Sequence, residues 1–129
     1  MDDQNLPKYQ AGASLLVVED EDDYRNVLSE KLESEGFKVQ KAENGQVALD
    51  YLENNEVDLI LLDMLMPSMD GTTFFYNLKN VLNKNIPVII LTNYTDTAYP
   101  GGVVDFVIKT NTSLSEVVEK VKKYLPIKL

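Results

Sequence analysis

Four apolar runs in the sequence are each followed by a polar side chain that could take part in catalysis. In chain order, the runs and the side chains after them are residues 15–18 with Glu19 and Asp20, residues 59–62 with Asp63, residues 88–91 with Thr92, and residues 106–108 with Lys109. If the runs are neighbouring parallel strands, their carboxyl ends bring carboxylates, a hydroxyl and an ammonium into one pocket. Ligands of open α/β sheets bind at that edge. This set of groups is what a metal-assisted phosphoryl-transfer site requires.

The elements that must position these side chains alternate in type. Short apolar stretches predict buried strands, and the segments between them carry apolar residues at helical spacing. We expect strands at residues 14–19, 37–41, 57–63, 88–92 and 106–108, and helices that contain residues 24–32, 47–52, 71–82 and 114–125. The alternation predicts an α/β fold with a doubly wound parallel sheet and right-handed crossovers.

Two of the helices carry more detailed predictions. The third opens at Asp70-Gly71, and its spacing predicts a buried face made of Phe74, Phe75, Leu78, Val81 and Leu82. The last opens with a capping box, in which Ser113 and Glu116 satisfy each other's backbone N–H groups. Pro126 ends that helix.

The connection between the fourth and fifth predicted strands is too short to hold a full helix like those between the other strands. Between Thr92 and Val103 the chain includes Pro100-Gly101-Gly102 and leaves room for one or two helical turns at most. A full crossover needs at least about 10–12 residues including its helix. We therefore expect the fourth helix to be short or absent.

Length and composition limit the class of protein. The chain has 129 residues, 44% of them hydrophobic and 26% charged, which is typical of one soluble globular domain. We expect a flexible N-terminal arm at residues 1–13 and a single domain at residues 14–129. The sequence contains neither cysteine nor histidine. Disulfides, thiolate chemistry and histidine-based acid–base catalysis are therefore excluded.

Charge and hydropathy limit the classes of partner that the protein can bind. The net charge is −9, and no basic stripe is present, so we expect no nucleic-acid binding. The N-terminal residues lack the apolar stretch of a signal peptide, and no apolar run approaches the ~18 residues of a membrane span. We expect a soluble cytoplasmic protein that does not bind membranes.

The acidic groups at the predicted sheet edge require a cation. Glu19, Asp20 and Asp63 cannot all be ionised within a few ångströms of one another without one. Carboxylate oxygens favour Mg²⁺, with Mn²⁺ as the alternative. Asp63 is the candidate nucleophile because a carboxylate can form an acyl phosphate. Lys109 would neutralise a phosphoryl oxygen, and Thr92 would donate a hydrogen bond to it.

A simpler interpretation exists for each acidic residue taken alone. Carboxylates at strand ends are often solvated, or they cap helices, as we expect for Asp22. Four matching strand ends favour the phosphoryl-transfer interpretation over this one.

The motifs resemble those of response-regulator receiver domains of two-component signalling. Residues 63–71 resemble the phosphoacceptor signature of that family. Glu19-Asp20 resembles its acidic pair, with glutamate in place of the commoner aspartate at the first position. Thr92 and Lys109 match its hydroxyl and lysine positions, and Phe106 matches its aromatic switch residue. The resemblance covers roughly residues 14–125.

The resemblance implies a flavodoxin-like fold with strand order 2-1-3-4-5 and a switch function. A histidine kinase or phosphotransfer protein would donate a phosphoryl group to Asp63. Mg²⁺ would be held by Asp20, Asp63 and the backbone carbonyl of Leu65, with Glu19 acting through water. Thr92 would then move towards the phosphoryl group and Phe106 would turn inward.

The same resemblance implies the biological role. The chain would be a stand-alone receiver of the chemotaxis type that acts on an unknown downstream protein by direct contact. It would catalyse only its own phosphorylation and dephosphorylation, and so would not be a conventional enzyme.

Some positions depart from the family pattern. Thr110 follows Lys109 where the family usually has proline, often in a cis peptide bond, so we expect a differently shaped loop. Asn93 follows Thr92 where family members generally carry a smaller residue. The shortened fourth connection removes part of the usual output surface.

Three alternatives to this function are open. The first is a degenerate receiver that binds partner proteins without phosphorylation. The second is a flavodoxin-like cofactor binder, although an acidic first loop suits an anionic phosphate poorly. The third is a phosphatase of the haloacid dehalogenase type, although Leu65 stands where that family needs an acid–base aspartate.

Overall fold

Strands and helices alternate along the chain, as the apolar pattern predicts. The computed structural model describes residues 12–66, 68–93 and 102–125. The strands are β1 (Ser14–Val18), β2 (Lys38–Ala42), β3 (Leu59–Asp63), β4 (Val88–Thr92) and β5 (Val103–Ile108). The helices are α1 (Asp22–Ser34), α2 (Gly45–Asn54), α3 (Gly71–Tyr76) and α4 (Leu114–Tyr124), and a π-helical turn (Asn77–Val81) continues α3. Within these ranges no helix is long and apolar enough to cross a membrane.

The five strands form one parallel sheet in the order β2-β1-β3-β4-β5. This confirms the predicted flavodoxin-like topology. The strand order reverses between β1 and β3, which is the position where open α/β sheets bind ligands. Because every strand runs in the same direction, the carboxyl ends of β1, β3, β4 and β5 meet at one edge.

Two apolar cores cover the two faces of the sheet. Alternate residues of β1 show the division, since Leu16 packs in the core with α2 and α3, and Leu15 packs in the core with α1 and α4. Strands β3 and β4 are buried along their whole length. They therefore form a rigid support for the side chains at their ends.

The third helix differs from the prediction at its C-terminal end. Phe74, Phe75 and Leu78 are buried as expected, but the side chain of Val81 is 65% exposed. The Leu82 N–H donates to the Asn77 carbonyl, which is an i→i+5 bond of a π-helical turn. The wider turn rotates Val81 away from the sheet, so the prediction that Val81 is buried was wrong.

Two predictions concern segments that lie outside the described residues. The first is the fourth helix, which we expect to be short or absent and which would fall at residues 94–101. The second is the N-terminal arm at residues 1–13, most of which is not described. Ala13 is described. It is buried, and its carbonyl accepts a hydrogen bond from the Lys38 N–H.

Side-chain caps define the N-termini of three helices. The Asn44 side chain accepts from the Val47 N–H at α2, and the Asp70 side chain accepts from the Thr73 N–H at α3. At α4 the predicted capping box is present, since Ser113 accepts from the Glu116 N–H at 3.1 Å and the Glu116 carboxylate accepts from the Ser113 N–H. These caps fix where the chain turns from loop into helix.

We expect Ser113→Ala to lower the free energy of unfolding by about 1 kcal/mol, because it removes the capping hydroxyl from α4. Urea denaturation followed by circular dichroism measures the effect. Ser34→Ala is the matched control, since the exposed Ser34 hydroxyl donates only to the Lys31 carbonyl within its own helix. Equal stabilities of the two variants would contradict the capping role.

Candidate functional site

Three carboxylates converge at the carboxyl edge of the sheet. One oxygen each from Glu19, Asp20 and Asp63 lies within 4.8 Å of the others. Glu19 and Asp63 are buried, whereas Asp20 is exposed. The cluster is therefore partly withdrawn from water but open on one side. This is the acidic group that the sequence predicts.

Short backbone interactions hold the two buried carboxylates in place. The Glu19 N–H donates to the Ala42 carbonyl at the end of β2, and a Glu19 carboxylate oxygen accepts from the Glu21 N–H at 3.1 Å. Asp63 is the last residue of β3, and its Oδ1 accepts from the Leu65 N–H at 3.0 Å. Each carboxylate is thus oriented by the loop that follows its own strand.

Lys109 brings one positive charge to the cluster. Its Nζ lies 2.6 Å from Glu19 Oε1 and 3.8 Å from Asp63 Oδ2, and its side chain is 8% exposed. The Lys109 N–H donates to the Thr92 carbonyl at 2.7 Å, which aligns the chain after β5 with the end of β4. The described peptide bonds are all trans, including the one between Lys109 and Thr110.

The acidic environment changes the affinity of Asp63 for its proton. Burial, together with the neighbouring Glu19 and Asp20, raises the pKa of Asp63 to about 8. The Leu65 N–H acts in the opposite direction but is too weak to offset these effects. Without a bound cation, the protonated form of Asp63 is therefore favoured near neutral pH.

The same negative charges also favour the protonated form of Lys109. Burial alone would lower the pKa of Lys109, but the hydrogen bond to Glu19 and the charges of Asp63, Glu19 and Glu21 outweigh it and raise that pKa. Lys109 is therefore a permanent cation in this site.

A cleft of about 210 Å³ opens above these groups. The residues that line it are Glu19, Asp20, Glu21, Asp63, Leu65, Asn93 and Lys109. The side chain of Leu65 is 57% exposed at the mouth of the cleft. Thr92 is buried at the end of β4, and Phe106 is 41% exposed on β5. The structure thus brings the predicted carboxylates and lysine together, with Thr92 beside them and Phe106 further out.

Sequence reasoning missed two residues in the first turn of α1. The ring of Tyr24 lies under the Lys109 ammonium, 5.1 Å from Nζ to the ring centroid. Arg25 donates to the Glu19 carbonyl at 2.9 Å and to the Asp22 carboxylate at 2.6 Å. Asp22 therefore forms an ion pair, and the N-cap position belongs to Glu21. Tyr24 and Arg25 directly follow the acidic run, where a helix turns back over the strand end. This position was the signal in the sequence that could have identified them as site residues.

The donor set suits a hard divalent cation. All the side-chain groups that face one another here are carboxylates, apart from one ammonium, and oxygen donors suit Mg²⁺. The three carboxylates lie close together, and the pKa of Asp63 is raised. Both observations indicate that the positive charge of Lys109 alone does not balance the negative charge of the cluster. The residues present therefore fit a magnesium ion.

Fold and site together define a class of protein, a flavodoxin-like α/β domain with an acidic cluster and a lysine at the carboxyl edge of its sheet. Residues 15–122 match the family model described as the response regulator receiver domain. The chain belongs to this family. Members are receiver domains of two-component response regulators, and the family consists of signalling switches rather than conventional enzymes.

Two curated relatives illustrate the match in sequence. The chain is 36% identical over 120 residues to sporulation initiation phosphotransferase F of Bacillus subtilis, covering 88% of this chain and 94% of the relative. It is 35% identical over 116 residues to the transcriptional regulatory protein SrrA of Staphylococcus aureus, covering 86% of this chain. The match spans 47% of SrrA, or about half its length.

Solved structures support the same assignment. The receiver domain of the hybrid histidine kinase CckA aligns with a TM-score of 0.76 and 31% identity, over 88% of this chain and 99% of that one. The response regulator TrrA of Thermotoga maritima, solved in complex with Mg²⁺ and BeF, aligns with a TM-score of 0.77 and 33% identity, over 88% and 99% of the two chains.

The raised pKa of Asp63 predicts a pH-dependent stability. An unfolded aspartate has a pKa of about 3.9, so the native protein holds this proton more tightly than the unfolded chain does. The stability from this group is fully present below about pH 4 and is lost as the pH rises towards 8. We therefore expect the free energy of unfolding in EDTA to fall, relative to Asp63→Asn, by at most about 1.4 kcal/mol per pH unit across this window.

Urea denaturation at several pH values between about 5 and 8 measures this difference. Asp63→Asn is the control because its neutral amide resembles the protonated carboxyl and does not titrate. Parallel pH profiles for the two proteins would show that Asp63 has an ordinary pKa. Saturating Mg²⁺ should reverse the trend in the wild type, because a nearby cation favours the ionised carboxylate.

Proposed function

We propose that this protein is a phosphorylation-activated switch of a two-component phosphorelay, with Asp63 as the phosphoacceptor. The observation that carries the proposal is the gathering of three carboxylates and the Lys109 ammonium in one cleft, although Lys109 and Glu19 lie 90 positions apart. Membership of the receiver family supports it. We propose that residues 14–129 form a single receiver domain preceded by an arm at residues 1–13.

The chemistry assigned to Asp63 is nucleophilic attack on phosphorus. A carboxylate oxygen of Asp63 forms a P–O bond while the P–N bond of a phosphohistidine donor breaks, which gives an acyl phosphate. The leaving imidazole takes up a proton from solvent. Lys109 offsets the charge of the arriving phosphoryl oxygens from its position 3.8 Å from Asp63. The attack requires Asp63 in its ionised form.

Magnesium is the expected partner of this reaction. Asp20, Asp63 and the backbone carbonyl of Leu65 would hold the ion, with Glu19 acting through water, and Mn²⁺ would substitute. The bound ion would supply positive charge that favours ionised Asp63 and offsets the charge of phosphoryl oxygens. The similar protein TrrA was solved with Mg²⁺ and BeF bound, which supports the same chemistry here.

A phosphorelay needs a donor and a receiving partner. We propose a histidine kinase or a phosphotransfer protein as the donor and an unidentified protein as the target. One relative is named a phosphotransferase and another a transcriptional regulatory protein, which supports a signalling role without identifying the target. The net charge of −9 argues against nucleic acid as a direct ligand. Family membership supports a cytoplasmic location.

Thr92 and Phe106 are the proposed switch residues. Thr92 is buried at the end of β4, and Phe106 lies on the neighbouring strand with its ring 41% exposed. A phosphoryl group on Asp63 would attract the Thr92 hydroxyl. The movement of Thr92 would leave a space, and Phe106 would turn into it. The phosphorylated and free forms would then differ in the surface around β5 and α4, as a population shift between two states.

We expect wild-type protein incubated with Mg²⁺ and a small acyl-phosphate donor to gain the mass of one phosphoryl group, because Asp63 is the buried nucleophile of the cluster. Intact-mass spectrometry measures the adduct. Asp63→Asn should gain none, while Asp58→Asn is the matched control, since Asp58 is also an aspartate beside β3 but lies at the opposite end of that strand. We expect Asp58→Asn to accept the phosphoryl group normally.

The absence of any adduct on the wild type, with Mg²⁺ binding established separately, would overturn the proposal. The protein would then be a degenerate receiver that acts by binding partners without phosphorylation. Asn93, which lines the cleft, and Thr110, which follows the cleft residue Lys109, would be the first residues to replace, since both depart from the family pattern.

We expect Thr92→Ala to accept the phosphoryl group but to lose the response of Phe106, because the hydroxyl is proposed to link the two. The measurement is the change in the Phe106 amide NMR signal on phosphorylation. Thr92→Ser, which keeps the hydroxyl, should retain most of the wild-type change. A full response in Thr92→Ala would contradict the role assigned to the hydroxyl.

A further inference from the structure

The Lys109 ammonium has an aromatic neighbour that the proposed function does not use. Its Nζ lies 5.1 Å from the centroid of the Tyr24 ring, which is within the range of a cation–π contact. Tyr24 belongs to the first turn of α1, directly after the loop that carries Glu19 and Asp20. The ring therefore contacts the ammonium from the α1 side of the site.

The position of the ammonium matters because it is not yet at the reacting group. Lys109 Nζ donates to Glu19 Oε1 at 2.6 Å but lies 3.8 Å from Asp63 Oδ2, beyond hydrogen-bonding distance. In the proposed reaction, a phosphoryl group on Asp63 would attract the ammonium away from Glu19. A lysine side chain is flexible, so this step needs a surface that limits where the charge can go.

We propose that Tyr24 is a positioning residue of this site, whose ring keeps the Lys109 ammonium between Glu19 and Asp63 and guides it towards the phosphoryl group. The inference rests on the proposed function, because it assigns Tyr24 a role in that reaction. An aromatic face attracts a cation without the strict direction of a hydrogen bond. The ammonium can therefore shift from one carboxylate to the other while it stays over the ring.

The ring is the acting part of Tyr24, and the hydroxyl is not. The hydroxyl oxygen is buried and has no hydrogen-bond partner among the described residues. Burial, reinforced by the charges of Glu19 and Glu21, raises the pKa of Tyr24 to about 12, so the phenol stays neutral. Loss of the hydroxyl should therefore leave the contact with Lys109 intact.

The first experiment compares Tyr24→Leu with Tyr24→Phe. We expect Tyr24→Leu to slow phosphorylation by a small acyl-phosphate donor about three- to tenfold at saturating Mg²⁺, since it removes the ring but keeps an apolar side chain. Tyr24→Phe should restore a rate within about twofold of the wild type. Stopped-flow fluorescence or timed intact-mass spectrometry measures the rate.

A matched control separates this effect from a general loss of packing. Tyr124 also lies against a lysine, with Lys123 Nζ 5.2 Å from its ring centroid, but it belongs to the far end of α4. Tyr124→Leu should leave the phosphorylation rate unchanged. Urea denaturation and Mg²⁺ titration of all three variants establish that each is folded and binds the ion.

A second readout does not depend on phosphorylation. An ammonium held over an aromatic face places its neighbouring methylene protons in the ring current, so the Lys109 ε-proton NMR signals should lie upfield in the wild type and in Tyr24→Phe. In Tyr24→Leu they should return to ordinary values. Combining Tyr24→Leu with Lys109→Met should add no further loss of rate beyond Lys109→Met alone.

The outcomes distinguish the two proposals. A wild type that accepts no phosphoryl group defeats the proposed function, and with it the role of Tyr24 in the reaction, even if the ring-current shift is present. A wild type that is phosphorylated at the same rate as Tyr24→Leu overturns the inference about Tyr24 alone. Ordinary ε-proton shifts for Lys109 in the wild type would also overturn it.

Discussion

The contact between Lys109 and Glu19 is the interaction on which the site depends. It joins the end of β5 to the end of β1 at 2.6 Å, although β3 and β4 lie between them in the sheet. Both side chains are almost fully withdrawn from solvent, so neither charge could remain there alone without a large desolvation penalty. The ion pair therefore requires the correct strand order and the correct register of both strands.

The fold meets this requirement with two different kinds of structure. Strands β3 and β4 are fully buried, and their packing places Asp63 and Thr92 at the edge of the sheet. Glu19 and Lys109 follow the ends of β1 and β5 and are held by backbone contacts, since Glu19 accepts from the Glu21 N–H and the Lys109 N–H donates to the Thr92 carbonyl. The buried strands thus place Asp63 and Thr92, while Glu19 and Lys109 lie in the connections that follow β1 and β5.

Much of this arrangement could be predicted from the sequence, because parallel strands place their last residues at one edge. The gathering of Glu19, Asp63 and Lys109 followed from that rule, and the strand order followed from the family resemblance. The π-helical turn that exposes Val81 could not be predicted, since it depends on how one turn packs against the sheet. Tyr24 was missed for a related reason, because apolar periodicity describes which face is buried and not which charge lies over it.

The charges in the cleft link the chemistry of Asp63 to the presence of a cation. With Glu19 paired to Lys109 and Asp20 exposed to water, a protonated Asp63 leaves the buried part of the site neutral. Ionising Asp63 adds a second buried negative charge. Lys109 does not balance it, because its charge is already paired with that of Glu19. Near neutral pH the ionised form of Asp63 therefore becomes favourable when further positive charge enters the cleft, so cation binding and ionisation of Asp63 are one coupled equilibrium.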